Sequence, residues 1–171
     1  AKRCNISRIL SDMVFPSSLI ILDLGGNRLD EFDLHMIPSG IQELHLSCNS
    51  VTSLVPKIKD EESSLSSRHH LVFPHLAVLD VSSNNIQEFP DALQTQSLRI
   101  LNFGSNRVRK ISSGLLSPAL SAIEGANNLL ADIPDLSEHE HLVLIELSNN
   151  QLVRTPCIGP KVTRVGLSSN S

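Results

Sequence analysis

The chain has 171 residues, of which 40% are hydrophobic and 19% are charged, so it is long enough and apolar enough for one well-packed domain. A formal net charge of -4 lacks the surplus of lysine and arginine that holds a nucleic-acid backbone, and an aromatic content of 3% offers few platforms for stacking bases. These values exclude a disordered chain and predict that nucleic acid is not the ligand.

A repeated unit is visible from the N-terminus onward. The segment Leu19 to Leu29 reads L-x-x-L-x-L-x-x-N-x-L without exception, and its part Leu22-Asp23-Leu24 alternates as a short strand does. A partial unit precedes it, in which Asn5 takes the asparagine position. The same frame returns from Ile41, Leu76, Leu98, Leu120 and Leu142, and begins again at Val162.

One asparagine recurs in every unit and predicts a structural ladder. The spacings are 22, 35, 22, 22, 22 and 20 residues, for Asn27, Asn49, Asn84, Asn106, Asn128, Asn150 and Asn170. A chain that turns sharply inside a solenoid buries backbone donors and acceptors, and an amide side chain can satisfy both. Losing one such asparagine should cost about 1–3 kcal/mol for the groups left unpaired.

The longest spacing marks an insertion of 13 residues around 57–70, where the chain is polar and rich in serine. That composition cannot support a packed core, so we expect a flexible convex loop. The alternative is a partner contact or a phosphorylation switch, because four serines lie near Arg68.

The apolar positions of the frame predict two core columns. One contains Leu22, Leu44, Leu79, Leu101, Ile123, Ile145 and Val165; the other contains Leu24, Leu46, Val81, Phe103, Gly125, Leu147 and Leu167. Gly125 is the smallest member and Phe103, one repeat earlier, is the largest. We therefore expect the Phe103 ring to fill the gap over Gly125.

Prolines follow in the return segments, at Phe89-Pro90, Ile133-Pro134 and Thr155-Pro156. Proline fixes its own φ and keeps its predecessor extended, so short 3₁₀ turns and irregular chain should replace long helices there.

These repeats resemble the leucine-rich repeat family over nearly the whole chain, in particular its short 22-residue intracellular type. The resemblance implies an α/β solenoid shaped as a horseshoe, with a parallel concave sheet and mostly 3₁₀ or irregular convex segments. Residues 1–171 would form a single leucine-rich repeat domain of about seven repeats plus a partial N-terminal one. Because neither end has a recognisable polar cap, we expect the sequence to be a fragment of a longer protein.

Outward strand positions on the concave face form two further columns. The first, here called the apolar column, contains Ile21, Glu43, Val78, Ile100, Ala122, Leu144 and Arg164; the second, the acidic column, contains Asp23, His45, Asp80, Asn102, Glu124, Glu146 and Gly166. Five of the seven positions in the apolar column are apolar although the frame does not require it. An apolar stripe beside an acidic one is typical of a surface that binds protein. The alternative is that these side chains only satisfy strand propensity.

The chemistry of a catalyst or of a cofactor site is not recognisable in the sequence. We find no P-loop, H-E-x-x-H or G-x-S-x-G, so we expect no enzyme activity and no cofactor. Metal is not expected either: the acidic column spreads its oxygens at strand spacing, and Glu138-His139-Glu140-His141 lacks the spacing of a zinc site.

The cysteines and the hydropathy bear on the compartment. Cys4, Cys48 and Cys157 are odd in number and scattered, which favours a reducing, cytoplasmic setting. The glycosylation sequon Asn5-Ile6-Ser7 is the counter-indication. No stretch approaches the ~20 apolar residues of a membrane span, so none is predicted.

The function that these features favour is a protein–protein interaction module, an intracellular adaptor or scaffold that binds a macromolecular partner on the concave face. Two alternatives stay open. The chain could be part of the ligand-binding ectodomain of a receptor, which cysteine caps would mark, or a structural spacer between domains of a larger cytoskeletal or regulatory protein.

Overall fold

The computed structural model describes residues 4–10, 12–55 and 71–171. Its strands have three residues each because an alternating pair of apolar positions recurs once per repeat. In chain order they are β1 (Ile21–Asp23), β2 (Glu43–His45), β3 (Leu71–Phe73), β4 (Val78–Asp80), β5 (Leu93–Thr95), β6 (Ile100–Asn102), β7 (Ala122–Glu124), β8 (Leu144–Glu146) and β9 (Arg164–Gly166).

Seven of these strands form one parallel sheet in the order β1-β2-β4-β6-β7-β8-β9. Each strand pairs with the equivalent strand of the next repeat in the same register, as in Leu22 opposite Leu44 and Leu101 opposite Ile123. The predicted parallel solenoid is therefore confirmed.

The return segments on the other side contain little regular structure, as the prolines predict. Two 3₁₀ helices, Leu34–Met36 and Ser113–Leu115, lie in the described residues. Strands β3 and β5 pair in parallel on this side, and Leu136 forms an isolated bridge with Ile158. This second line of pairing between return segments was not expected from the sequence.

The core lies between the sheet and the return segments. Both predicted columns are buried in the interior repeats; Leu44, Leu79 and Leu101, for example, are at most 1% exposed. The prediction for Val165 was wrong, because this side chain is 42% exposed. Strand β9 is the last strand of the sheet and pairs only with β8, so nothing in the described chain covers its outer side.

Phe103 and Gly125 pack as the sequence predicts. The Phe103 side chain is fully buried, and a methyl group built on Gly125 would overlap its ring. The ring also meets Phe89 edge to face, with 5.9 Å between the ring centroids. One bulky residue thus fills the volume of two adjacent positions in the column.

The first partial repeat is shifted by one residue from the prediction. Ile6 donates its backbone N–H to Asn27 Oδ1, as Leu29 donates to Asn49 Oδ1 one repeat later. This equivalence places Cys4, and not Asn5, in the asparagine position. The reason is hydrophobic: the shifted frame packs Ile6 against the core, whereas the predicted frame would have placed the exposed Ser7 there.

The insertion predicted at residues 57–70 lies outside the described residues. In the part of the chain that is described, no helix has the length and hydropathy needed to cross a bilayer.

Candidate functional site

The asparagine ladder links the turn of each repeat to that of the preceding repeat and so fixes the register of the concave strands. In each repeat the amide Nδ2 donates to carbonyls of its own turn and of the preceding one, and Oδ1 accepts a backbone N–H from the preceding repeat. For Asn128 these bonds reach Phe103 O at 3.0 Å, Gly125 O at 3.2 Å and Val108 N at 2.9 Å. The same pattern recurs at Asn49, Asn84, Asn106, Asn150 and Asn170. Asn27 Nδ2 donates to Leu24 O in its own turn, and its Oδ1 accepts the backbone N–H groups of Cys4 and Ile6. These side chains face inward, so they position the site without being available to a partner.

The residue before each ladder asparagine allows the tight turn. It has a left-handed φ between 55° and 66°, at Gly26, Cys48, Ser83, Ser105, Asn127, Asn149 and Ser169. One of these positions is glycine and two are asparagine, the types that adopt this region most readily, whereas the other four carry the small side chain of serine or cysteine.

Strand register aligns the two concave columns. Ile21 lies opposite Glu43, Val78 opposite Ile100, and Ala122 opposite Leu144, and the acidic column follows two residues later on the same strands. Each column therefore runs across the sheet, with neighbours about 4.8 Å apart.

The apolar column is open to solvent at several positions. Ile21 is 53% exposed and Ile100 is 38% exposed, whereas Val78 and Leu144 are half-buried. Side chains of this kind on a parallel sheet form an apolar surface that a partner can cover.

The acidic column has a structural role that the sequence interpretation missed. Asp80 Oδ1 accepts the backbone N–H of Ser82 at 3.0 Å and its hydroxyl at 2.7 Å. Equivalent bonds join Asp23 to Gly25 N, Asn102 to Gly104 N, and Glu146 to Ser148 N. The signal was present in the sequence, because an acid or amide is followed two residues later by glycine or serine in these repeats. At these four positions the column thus caps the turn after the strand, and the same hydrogen bonds hold the side chains in place.

The remaining members of the acidic column differ in their contacts. His45 Nε2 lies 3.2 Å from Glu43 Oε2, so this pair links the two columns. Hydrogen bonding by Ser148, from its hydroxyl and its backbone N–H, holds the pKa of Glu146 below its usual value. The Glu146 carboxylate also covers Gly166, where a Cβ atom would collide with it.

An apolar groove of about 760 Å³ continues the concave face at its N-terminal end. It is lined mainly by Ile6, Ile9, Leu10, Met13, Phe15 and Ile21. Leu10 and Met13 are 66% and 47% exposed, and Ile21 belongs to the groove and to the apolar column alike. The sequence frame could not indicate this groove, since residues 10–18 follow no repeat position.

The concave face offers apolar side chains and carboxylates for contact. Across the described ranges, no group of three or more His, Cys, Asp or Glu side chains is arranged to hold a metal ion. The Glu138–His141 segment lies in a turn between β7 and β8.

The comparisons with known proteins agree with this architecture. A family model described as Leucine Rich Repeat matches residues 75–95. The human protein named Leucine-rich repeats and immunoglobulin-like domains protein 2 is 28% identical over 121 residues, which cover 63% of this chain and 11% of that protein. The structure titled as the leucine-rich effector protein YopM from Yersinia pestis superimposes with a TM-score of 0.62, at 21% identity, over 91% of this chain and 45% of that one. The chain thus spans a small part of the human relative and under half of the bacterial structure.

Stacked parallel strands, a buried asparagine ladder and an open concave sheet define a solenoid repeat protein. The chain has the leucine-rich repeat fold, and the matched model, the human relative and the solved structure all support a place in the leucine-rich repeat family. Domains of this family generally mediate protein–protein interactions.

Proposed function

We propose that this chain is a non-enzymatic adaptor or scaffold module that binds a protein partner on its concave face. The observation that carries the proposal is the exposure of Ile21 and Ile100 on strands that are otherwise fixed by the ladder. Neither side chain belongs to the buried core, and the repeat frame does not require either of them to be apolar.

Rigidity of the surface supports the same proposal. The backbone of every concave strand is paired on both sides except at β1 and β9. In the acidic column, hydrogen bonds to the following turn orient the side chains of Asp23, Asp80, Asn102 and Glu146. A surface that is already ordered loses little conformational entropy when it binds, which favours affinity.

A double substitution, Ile100→Ser with Leu144→Ser, tests the proposal. Both side chains point away from the core, so the fold should persist and far-UV circular dichroism should be unchanged. Proteins captured by the wild-type chain as bait should be lost or bind about tenfold more weakly, a difference of about 1.4 kcal/mol. The matched control is Val153→Ser, because Val153 is 76% exposed and lies on a return segment.

Capture that is equal for wild type, the double variant and the control would contradict binding on this face. Loss of capture with Val153→Ser alone would place the interaction on the return segments. If purified chain captures no protein under any condition, the spacer alternative takes precedence over the adaptor.

The cytoplasmic setting is part of the proposal and rests on the cysteines. Cys48 and Cys157 are exposed and form no disulfide, which suits a reducing compartment. The competing proposal, a receptor ectodomain, draws support from the name of the human relative, which combines leucine-rich repeats with immunoglobulin-like domains. Expression with a secretion signal separates the two, because use of the Asn5 sequon would favour the ectodomain.

A further inference from the structure

Building on the proposed function, we propose that the partner contributes an amphipathic α-helix of about 16 residues that lies along the concave columns. Its apolar side chains face the apolar column, and lysine or arginine side chains on the adjacent flank face the acidic column.

The spacing of the columns selects a helix over an extended peptide. Side chains in a column recur at the strand interval of about 4.8 Å. One side of a helix presents residues i, i+3 or i+4, and i+7 at a mean rise of about 5.3 Å. One side of an extended peptide presents alternate residues about 6.7 Å apart.

The mismatch accumulates over the length of the sheet. From β1 to β8 the apolar column crosses five strand intervals. Over that distance the side chains of a helix fall out of step with the column by about 2.5 Å in total. Those of an extended peptide fall out of step by about 10 Å, which equals two strand intervals. Only the helix can therefore place one side chain against each repeat, and about 24 Å of column corresponds to its length of about 16 residues.

Charge determines the flanks of the helix. Five carboxylates face the concave side, and they belong to Asp23, Glu43, Asp80, Glu124 and Glu146. The two columns contain a single arginine, Arg164 on the last strand. The bonds to Ser82 and Ser148 hold Asp80 and Glu146 in fixed positions. Carboxylates fixed at strand intervals attract a row of basic side chains and repel an acidic row.

The apolar column also specifies the order of contacts. From β1 to β8 it reads Ile21, Glu43, Val78, Ile100, Ala122 and Leu144. The complementary helix face therefore needs a basic residue at its second contact, opposite Glu43, and its bulkiest side chain at the fifth, over the small Ala122. Beyond Ile21, the groove lined by Met13 and Phe15 has room for one further apolar side chain at the end of the helix.

A synthetic peptide probes this inference directly. Its design follows the contact order above, with leucine on one face, lysine on the flank and a fluorescein label for anisotropy. We expect saturable binding to the 171-residue chain, a gain of helical circular dichroism on binding, and weaker binding at higher salt. The same peptide with glutamate in place of lysine should bind about tenfold more weakly, or worse.

Glu124→Gln is the matching change in the protein. Glu124 is half-buried on β7 and removing its charge should weaken the lysine peptide several-fold. Glu140→Gln is the control, since Glu140 is exposed in a turn outside the strands, and it should leave the affinity unchanged.

Three results would overturn the inference: no binding of the lysine peptide, equal binding of the glutamate peptide, or equal binding of a peptide whose helix is broken by a central proline. Any of these can occur while Ile100→Ser with Leu144→Ser still abolishes capture of a natural partner. In that case the concave face remains the binding surface and only the helical, basic character of the partner is wrong.

Discussion

Replacing Asn84 by alanine measures the contribution of one step of the asparagine ladder. Asn84 Nδ2 donates to Leu46 O at 2.9 Å and to Val81 O at 3.0 Å, and Oδ1 accepts the backbone N–H of Val51 at 2.9 Å. The side chain is 8% exposed, so water cannot replace these bonds without a rearrangement.

The carbonyls of Leu46 and Val81 each have a second hydrogen-bond donor. Leu46 O also accepts from Asn49 Nδ2 at 2.9 Å, and Val81 O also accepts from Asn106 Nδ2 at 3.0 Å. The backbone N–H of Val51 differs, because Asn84 Oδ1 is its acceptor in the described structure and no second acceptor is present there. The substitution therefore leaves one buried donor unpaired, and we expect a loss of about 1–3 kcal/mol in the free energy of unfolding.

Urea denaturation followed by far-UV circular dichroism is the assay, because the chain contains no Trp or Tyr. The matched control is Asn85→Ala, a change of the same residue type at the next position. Asn85 donates through its backbone to Val51 O at 2.9 Å, and alanine keeps that bond. At about 2–4 °C per kcal/mol, the melting temperature of Asn84→Ala should fall by roughly 2–12 °C. Equal stability of the two variants would refute the role assigned to the ladder.

The remaining predictions concern packing, pH and thiol reactivity. Gly125→Ala should destabilise the chain by about 1–3 kcal/mol through overlap with Phe103, and adding Phe103→Leu should recover part of the loss; strictly additive effects in a urea double-mutant cycle would contradict this packing. The pKa of Glu146 is lower in the folded chain than its usual value of 4.5, so its contribution to stability is present above about pH 4.5 and is lost as the pH falls through the folded value. The free energy of unfolding should therefore fall less steeply below pH 4.5 in Glu146→Gln than in wild type. Parallel curves for the two proteins would contradict this role of Glu146. Maleimide labelling of native chain should modify the exposed thiols Cys48 and Cys157 rapidly, and protection of both would show that their surfaces are covered.

Most of the concave face could be assigned from the sequence because it depends on local periodicity. Alternation within Leu22-Asp23-Leu24 separates inward from outward side chains, and the repeat of 22 residues places equivalent positions side by side. The pairing of Phe103 with Gly125 followed from the same argument, since neighbours in a column must fill a fixed volume together.

The acidic column could be located but its structural role could not. Its positions were correct in the register, yet they were interpreted as partner contacts alone. Whether Asp80 Oδ1 reaches the backbone of Ser82 depends on the φ and ψ angles of the turn after the strand, and the repeat pattern of the sequence does not specify these angles.

What the sequence by itself determined was the period, the direction of each side chain and the inward asparagines, because a solenoid repeats the same short-range geometry in every unit. Tertiary structure decided the rest: the shift that brings Cys4 into the asparagine position, the pairing of β3 with β5, the exposure of Val165 and the groove beside Ile21. These features arise where the repeats begin, end or cross the convex side. There each residue's environment is set by which chain segments come into contact in space, and no regular spacing along the chain encodes it.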